Sequence, residues 1–303
     1  MGDSIDISEV MPEPPAFTKE QVARCQKTGD YRPILFEWYK FVGALCGVVA
    51  HIQSDSETYA GISALYYQVL TGLLNRCSRL MVANIALSHE GRFGEATVIL
   101  DRCIFESAVK VIWLTTDPSD DKFKRYLADG LKAEIEMRDI IEQNAKDRDG
   151  QKLVIEERML KSIDHCLSQA ELTQEEVQST LLQLPKLMSM MNAVGLNRLM
   201  YVSMQKMGSH HIHGTWPSLL FHYLDEVPGT SPVELVPSFG ASTHANQYIY
   251  IPMMVLSAMI AHVKYALKQQ EADSFEQLCS VTLDEIRELS DQSAGSDFEI
   301  SNP

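Results

Sequence analysis

The sequence predicts an all-α protein, a multi-helix bundle with long central helices and disordered acidic termini. Apolar residues recur at helical spacing in one segment after another, and capping residues or prolines stand where such segments begin. No segment shows the alternation that is typical of a half-buried strand. With 303 residues, 45% of them hydrophobic, the chain is long enough to bury a substantial core. We expect one all-helical domain over residues 17–290, between disordered tails at 1–16 and 291–303.

The predicted helices follow one another with short connections. Thr18 caps a short first helix, and Pro33 stands at the start of the second. Thr173 and Glu176 form a capping box for a later helix. The other helices are expected over residues 33–53, 59–88, 96–114, 120–148, 151–169, 197–211, 217–225 (a short helix), 245–270 and 274–290. Residues 227–243 form the longest predicted loop, and a loop of that length in a compact domain is functional or mobile.

The net charge of −15 is concentrated at the two ends of the chain. Residues 1–16 contribute −4 and residues 271–303 contribute −8, which leaves −3 for the residues between them. A local basic pocket in the body of the protein is therefore compatible with the composition. The acidic C-terminal helix is expected to be a surface for a protein partner, and self-association into a homo-oligomer is expected as well.

The cysteine pattern and the termini indicate a cytoplasmic protein. The six cysteines are scattered without a CxxC pair, as in a reducing compartment. The acidic, proline-containing start differs from the basic and then apolar start of a signal peptide. The two longest apolar runs, residues 41–50 and 249–263, are shorter than a bilayer span, so no membrane contact is expected.

A stripe of charge interrupts the apolar stretch of residues 96–114. Arg102, Glu106 and Lys110 are spaced by four residues, so they share one face of a helix. A helix that is apolar on most sides lies deep in a bundle, where a charge has to be paired or used. Lys110 has no proposed partner and is expected to reach toward solvent.

Two interpretations of this stripe remain open. In the structural one, Arg102 and Glu106 form a buried ion pair that fixes the packing of the helix. In the functional one, Arg102 binds a phosphate together with Arg76 or Arg79, while Glu106 orients a base.

The histidines are concentrated downstream of residue 209. His210, His211 and His213 lie close to His222 and His244 in sequence, but their spacing matches no metal-binding motif. No metal and no cofactor is therefore expected.

Ser209, His213 and Gly214 mark the end of a helix. Gly214 can terminate it and leave His213 in the C-terminal turn, where a carboxylate such as Glu106 would favour the protonated ring. The alternative is a histidine that caps backbone carbonyls.

The run LDRCIFESAVKVIWLTTDP, followed far downstream by SHHIHGT, resembles the mainly bacterial group catalogued as domain of unknown function 5677. The matching motif positions are Arg102, Glu106, Ser209, His213 and Gly214. The resemblance covers about residues 59–223 and implies an all-helical fold, but the family has no established activity to carry over.

That group is also similar, at a distance, to HEPN helical bundles, some of which are metal-independent ribonucleases with an Arg-x(4–6)-His motif. This chain departs from that motif, because Arg198 precedes His210 by too many residues.

Two hypotheses about function result. The first is a nucleotide- or RNA-handling protein, extending to a metal-independent ribonuclease of bacterial defence. In that protein His213 acts as general acid or base, Glu106 orients it, and Arg102, Arg76, Arg79 and Ser209 bind the phosphate. The RNA's own 2′-hydroxyl would attack, so no metal would be needed. The second is a non-catalytic interaction or scaffold protein whose buried charges only fix the packing.

Overall fold

The computed structural model describes residues 10–53, 56–88, 93–238 and 247–296. The chain is all-α apart from one small two-stranded sheet, as the sequence predicts. It divides into two compact units, one of residues 1–115 and 190–303 and one of residues 116–189. Because compact units of one chain can fold together, the single domain over residues 17–290 stays a prediction. Several predictions fall partly outside the described residues: both outer tails, the end of the 227–243 loop, and His244.

The first unit contains most of the helices. In chain order they are α1 (Lys19–Thr28), α2 (Arg32–Ala50), α3 (Ala64–Ser88), α4 (Gly94–Thr115), α9 (Arg198–Met200), a π-helix (Tyr201–Lys206), α10 (Met207–His213), α11 (Trp216–His222), α12 (Gln247–Ala266) and α13 (Gln269–Ser296). Helix α8 (Leu187–Ala193) leads into this unit. Helix α13 extends six residues beyond the predicted end near residue 290, into the stretch that the sequence assigns to a disordered tail.

Local signals explain where these helices begin. Thr18 and Gln21 form the capping box of α1. Helix α3 begins at Ala64, later than the predicted start near residue 59. The backbone around Tyr59 is held in a β-bridge to Leu267 instead. Gly61 has a φ of +79°, which keeps the chain out of the helical region before α3.

The core of the first unit lies where α2, α3, α4, α12 and α13 pack together. Small residues allow α2 and α3 to approach closely. A Cβ atom on Gly47 would lie 3.0 Å from Ser78 Oγ, and that hydroxyl donates to the carbonyl of Gly43 (2.8 Å). Helix α12 contains Pro252 in its interior and is buried along most of its length, including the imidazole of His262.

A continuous helical run, residues 198–213, packs against α4 in the first unit. Its middle six residues form the π-helix, a rare conformation that occurs frequently at functional sites. Gly214 ends the run with a φ of +55°, as the sequence predicts.

A short antiparallel hairpin follows α11, and its first strand lies at the end of the predicted helix of residues 217–225 while its second lies in the predicted loop of residues 227–243. Strand β1 (Leu224–Glu226) pairs with β2 (Leu235–Pro237), and the turn between them contains Gly229 with a φ of +83°. Three residues per strand are too few for alternation to be visible in the sequence.

The second unit is a group of helices with its own core. Its helices are α5 (Asp120–Asp147), α6 (Val154–Ala170), α7 (Gln174–Gln178) and a 3-10 helix (Thr180–Leu182). The Ser119 hydroxyl caps α5, and the predicted capping box of Thr173 and Glu176 is present. The buried apolar core is formed by Ala128, Leu131, Ile135, Ile163, Leu167, Ala170, Leu172 and Val177.

Two of the described helices, α2 and α12, are long and apolar enough to cross a membrane. The sequence predicts no membrane contact, because its longest apolar runs are shorter than a bilayer span. In each, 61% of the most apolar window is buried inside the protein, as in core helices of soluble proteins. Length and composition are therefore weak evidence for a membrane span here.

Candidate functional site

The helical run of residues 198–213 lies antiparallel to α4. Gly208 faces the middle of α4, where a Cβ atom on Gly208 would come within 3.2 Å of the Cβ atom of Arg102. Nearer the start of the run, the Gln205 amide oxygen, oriented toward the guanidinium, accepts from Arg102 Nε (3.1 Å) and Nη2 (3.0 Å). The end of the run and α11 reach the first turn of α4, at Glu95.

A polar cluster surrounds the Glu95 carboxylate. Ser218 donates its hydroxyl hydrogen to Oε1 of Glu95, and Tyr223 donates to Oε2. His211 Nδ1 lies 3.3 Å from the Ser218 oxygen, so the serine hydroxyl bridges imidazole and carboxylate. The ring of His222 stands edge to face with that of His211 at a centroid distance of 4.9 Å. We call these five residues the Glu95 cluster.

Burial and hydrogen bonding shift the protonation of the cluster. Burial favours the neutral acid of Glu95, but hydrogen bonds from Ser218 and Tyr223 and the nearby imidazoles outweigh it and lower the pKa of the carboxyl. Burial lowers the pKa of His211, and the neighbouring His222 lowers it further. Burial lowers the pKa of His222 as well, against the opposing effect of Glu95. The cluster therefore combines an ionised carboxylate with imidazoles that favour the neutral form.

One nitrogen of this cluster is buried and unused. His222 Nδ1 has no hydrogen-bond partner among the residues that the structure describes. A buried imidazole nitrogen without a partner is costly, and this nitrogen remains available to a bound group. The chemistry available is proton transfer between two adjacent imidazoles and a bound group.

The charged stripe on α4 is arranged differently from the sequence prediction. Glu106 is engaged by Lys110, whose Nζ lies 2.7 Å from Oε1, so the expectation that Lys110 lacks a partner is wrong. The reason is geometric. Lys110 is one turn away from Glu106 on the same helix, so this pair forms without any tertiary contact. The pairing of Glu106 with His213 stays a prediction.

The remaining predicted site residues are not gathered at one point. Arg76 donates to Ser107 Oγ (2.6 Å) and to the Cys103 carbonyl, and both Arg76 and Arg79 are exposed on α3. The Ser209 hydroxyl donates to the carbonyl of Gln205 (2.9 Å) within its own helix.

His213 is exposed in the last turn of α10. Its neighbour His210 contacts the Thr215 hydroxyl at 2.7 Å, next to the end of the helix. Among the predicted catalytic residues, Arg102 is held against the antiparallel run by Gln205. The role of His213 stays a prediction.

A second polar group lies deep in the core. Asn84 Nδ2 donates to Asp101 Oδ1 (2.6 Å) and to the Tyr39 hydroxyl (3.0 Å). Complete burial raises the pKa of Asp101 well above its ordinary value, despite the opposing hydrogen bond from Asn84. This group is closed to solvent and joins α2, α3 and α4, which indicates a packing role.

Metal binding finds no support in the described part of the chain. There, no group of three or more His, Cys, Asp or Glu is arranged to hold an ion.

Sequence reasoning noted the histidines but missed Glu95, Ser218 and Tyr223 as site residues. One signal was available, because Glu95 and Arg102 are seven residues apart and share a face of α4. The contact of that face with α11 is a tertiary feature, which local sequence patterns do not predict.

Comparison with known proteins gives one match. A family model described as "Family of unknown function (DUF5677)" matches residues 67–230, just over half of the chain. That range contains the whole Glu95 cluster. Neither the curated proteins nor the solved structures contain a match.

Proposed function

The chain belongs to the DUF5677 family, a family of unknown function, and we propose that this member is an RNA-handling protein that cleaves RNA without a metal. The observation that carries the proposal is the contact between His211 and His222 beside the Glu95 carboxylate. In mild acid, two adjacent imidazoles with lowered pKa values are in part singly protonated, and the neutral ring then provides the base and the protonated ring the acid that RNA transesterification needs.

The hydrogen bonds suggest which imidazole is the base. The Ser218 hydroxyl gives its hydrogen to Glu95, so its oxygen is left to accept from His211 Nδ1. This arrangement leaves the Nε2 lone pair of neutral His211 available for a proton. His222, with its buried Nδ1, then serves as the acid. Glu95 acts through Ser218 and is a positioning residue.

The proposed step balances without a metal or a second reactant. His211 takes the proton of a ribose 2′-hydroxyl, whose oxygen forms a bond to the adjacent phosphorus. The bond from phosphorus to the 5′-oxygen breaks, and His222 protonates that oxygen. The products are a 2′,3′-cyclic phosphate and a 5′-hydroxyl, and the protons are returned by exchange with water.

Arg102 supplies the positive charge for binding. It lies two turns beyond Glu95 on α4, about 10 Å along the axis, so it suits a phosphate next to the reacting one. Its Nε and Nη2 are held by Gln205, which fixes the guanidinium in place. Arg76 donates to Ser107 and Arg79 is exposed on α3, so they are weaker candidates.

The second candidate is a non-catalytic interaction protein, and one observation favours it. The charges of the stripe that the sequence singles out are already engaged by contacts within the protein, because Glu106 pairs with Lys110 and Arg102 donates to Gln205. In that case the hydrogen bonds of the Glu95 cluster only stabilise the packing of α11 against the start of α4.

The matched pair His211→Ala and His213→Ala tests the proposal, because both residues lie on α10. We expect the His211 and His222 variants to lose cleavage of single-stranded RNA by about 100-fold or more. The His213 variant should cleave as wild type does and form the same cyclic phosphate. Thermal unfolding provides the folding control for all three. If only the His213 variant loses cleavage, His213 and not His211 is the general base. If the wild type does not cleave RNA, the protein is not a ribonuclease.

A further inference from the structure

Aromatic side chains are exposed around the Glu95 cluster. In the described residues five aromatic side chains are strongly exposed, and four of them border this cluster in sequence. They are Phe93 (50% exposed), Trp216 (57%), Phe221 (71%) and Tyr223 (47%). We call these four residues the aromatic surface. Exposure of large rings in a small region is costly unless a partner covers them.

Tyr223 connects the aromatic surface to the proposed chemistry. Its hydroxyl donates to Glu95 while almost half of the side chain remains exposed. Phe93 lies two residues before Glu95, and Phe221 is next to His222. A molecule that reacts at the two imidazoles therefore lies near Tyr223, and each of the other three rings is within two residues along the chain of a member of the cluster.

The charge of the surrounding segment favours an anionic partner. Residues 190–224 contain no Asp or Glu, although the whole chain has 41. The same segment carries Arg198, Lys206 and four of the nine histidines. Because this segment has no carboxylate of its own, an anionic partner meets less repulsion there than on the rest of the chain, and Arg198 and Lys206 attract it.

We propose that the aromatic surface is the binding platform for unpaired bases of single-stranded RNA, with the phosphates following the acid-free segment toward Arg102. This inference rests on the proposed function and adds its substrate class. Aromatic rings stack on bases regardless of sequence, and a duplex keeps its bases stacked inside and out of reach. The platform therefore selects unpaired RNA and is tolerant of sequence.

Tryptophan fluorescence offers a direct test, because Trp38 and Trp113 are buried and Trp216 is exposed. The probe is a short single-stranded RNA with 2′-O-methyl groups, which cannot supply the attacking hydroxyl. We expect this RNA to quench Trp216, its duplex form to quench far less, and an abasic strand not to quench.

The same probe, labelled with fluorescein, measures affinity in the full-length protein. We expect Trp216→Leu with Phe221→Leu to weaken binding about tenfold or more. The matched control is Tyr250→Leu on α12, which removes an aromatic ring of similar exposure that is not part of the aromatic surface and should not change binding. Circular dichroism verifies that the variants are folded.

The failures of the two proposals are distinguishable. If the double variant binds RNA as tightly as wild type while cleavage still needs His211, the platform is wrong and the ribonuclease stands. If wild type neither binds nor cleaves RNA, both fail. If the double variant only changes a dimer into a monomer in sedimentation, the surface is a contact between copies and the platform is rejected.

Discussion

The imidazole rings of His211 and His222 meet edge to face, with centroids 4.9 Å apart and planes inclined by 67°. They belong to different helices, and the tight turn at Gly214, with its φ of +55°, brings α11 back beside α10. Burial lowers the pKa of both imidazoles, and the adjacent His222 lowers the pKa of His211 further.

The first prediction concerns the pH dependence of RNA cleavage. A base and an acid with lowered pKa values give a bell-shaped profile of kcat/KM with its maximum in mild acid, below the ordinary histidine pKa of about 6.5. Steady-state rates across a pH series test this in wild type and in the His213→Ala variant, which should share one profile. A rate that keeps rising above neutral pH would contradict the assignment.

The second prediction compares two glutamates of α4. Glu95→Gln should reduce cleavage and move the optimum to lower pH, because the Glu95 carboxylate raises the pKa of both histidines. Glu106→Gln should leave the rate and the optimum unchanged and cost only about 0.5 kcal/mol, the typical value of a partly exposed pair one turn apart. An equal loss of activity in the two variants would argue against a special role for Glu95.

The third prediction concerns the close approach of Gly208 to Arg102. Gly208→Ala would place a Cβ atom 3.2 Å from Arg102 Cβ, so we expect a loss of about 1–3 kcal/mol and weaker binding of RNA. Gly72→Ala is the control, because nothing lies within 4 Å of its Cβ position and α3 should gain about 0.5–1 kcal/mol. Urea unfolding measures both, and a stabilised Gly208 variant would show that the contact is loose.

The fourth prediction concerns His262, which is buried with both ring nitrogens unpaired among the described residues. Burial lowers its pKa to about 4. The unfolded state therefore binds more protons between pH 6.5 and 4, and stability falls by about 3 kcal/mol as the pH drops through this window. His262→Leu should remove this part of the pH dependence, while His165→Leu, at an exposed position, should keep it. Unfolding free energies of the wild type and of both variants, measured at pH 7 and pH 4, test this prediction.

The fifth prediction concerns Asp101. Because its pKa is raised in the folded state, the unfolded state releases this proton first, and stability decreases as pH rises above the ordinary value of 3.8. Asp101→Asn should therefore be more stable than wild type at neutral pH and equal to it in strong acid. The new amide can also donate to Asn84 Oδ1, which has no partner among the described residues. A lower melting temperature for this variant at pH 7 would refute the neutral state of Asp101.

Much of the fold was accessible from sequence because helices are local structures. The apolar period of α2 and the capping signals at Thr18 and Thr173 involve only residues that are close together in the sequence. The late start of α3 was not accessible, since it depends on the bridge between Tyr59 and Leu267, which are more than two hundred residues apart.

The sequence by itself determined an all-α chain of this family, the helix end at Gly214 and the importance of α4. Only the tertiary structure decided which side chains on α4 meet the histidines. Helical spacing places Glu95, Arg102 and Glu106 on similar faces but does not say which turn of α4 another helix contacts. The antiparallel packing of residues 198–213 brings His211 to Glu95 and leaves Glu106 to Lys110. The physical reason is that the face on which a side chain lies depends only on the geometry of its own helix. The register between two helices depends on a tertiary contact, here the close approach at Gly208.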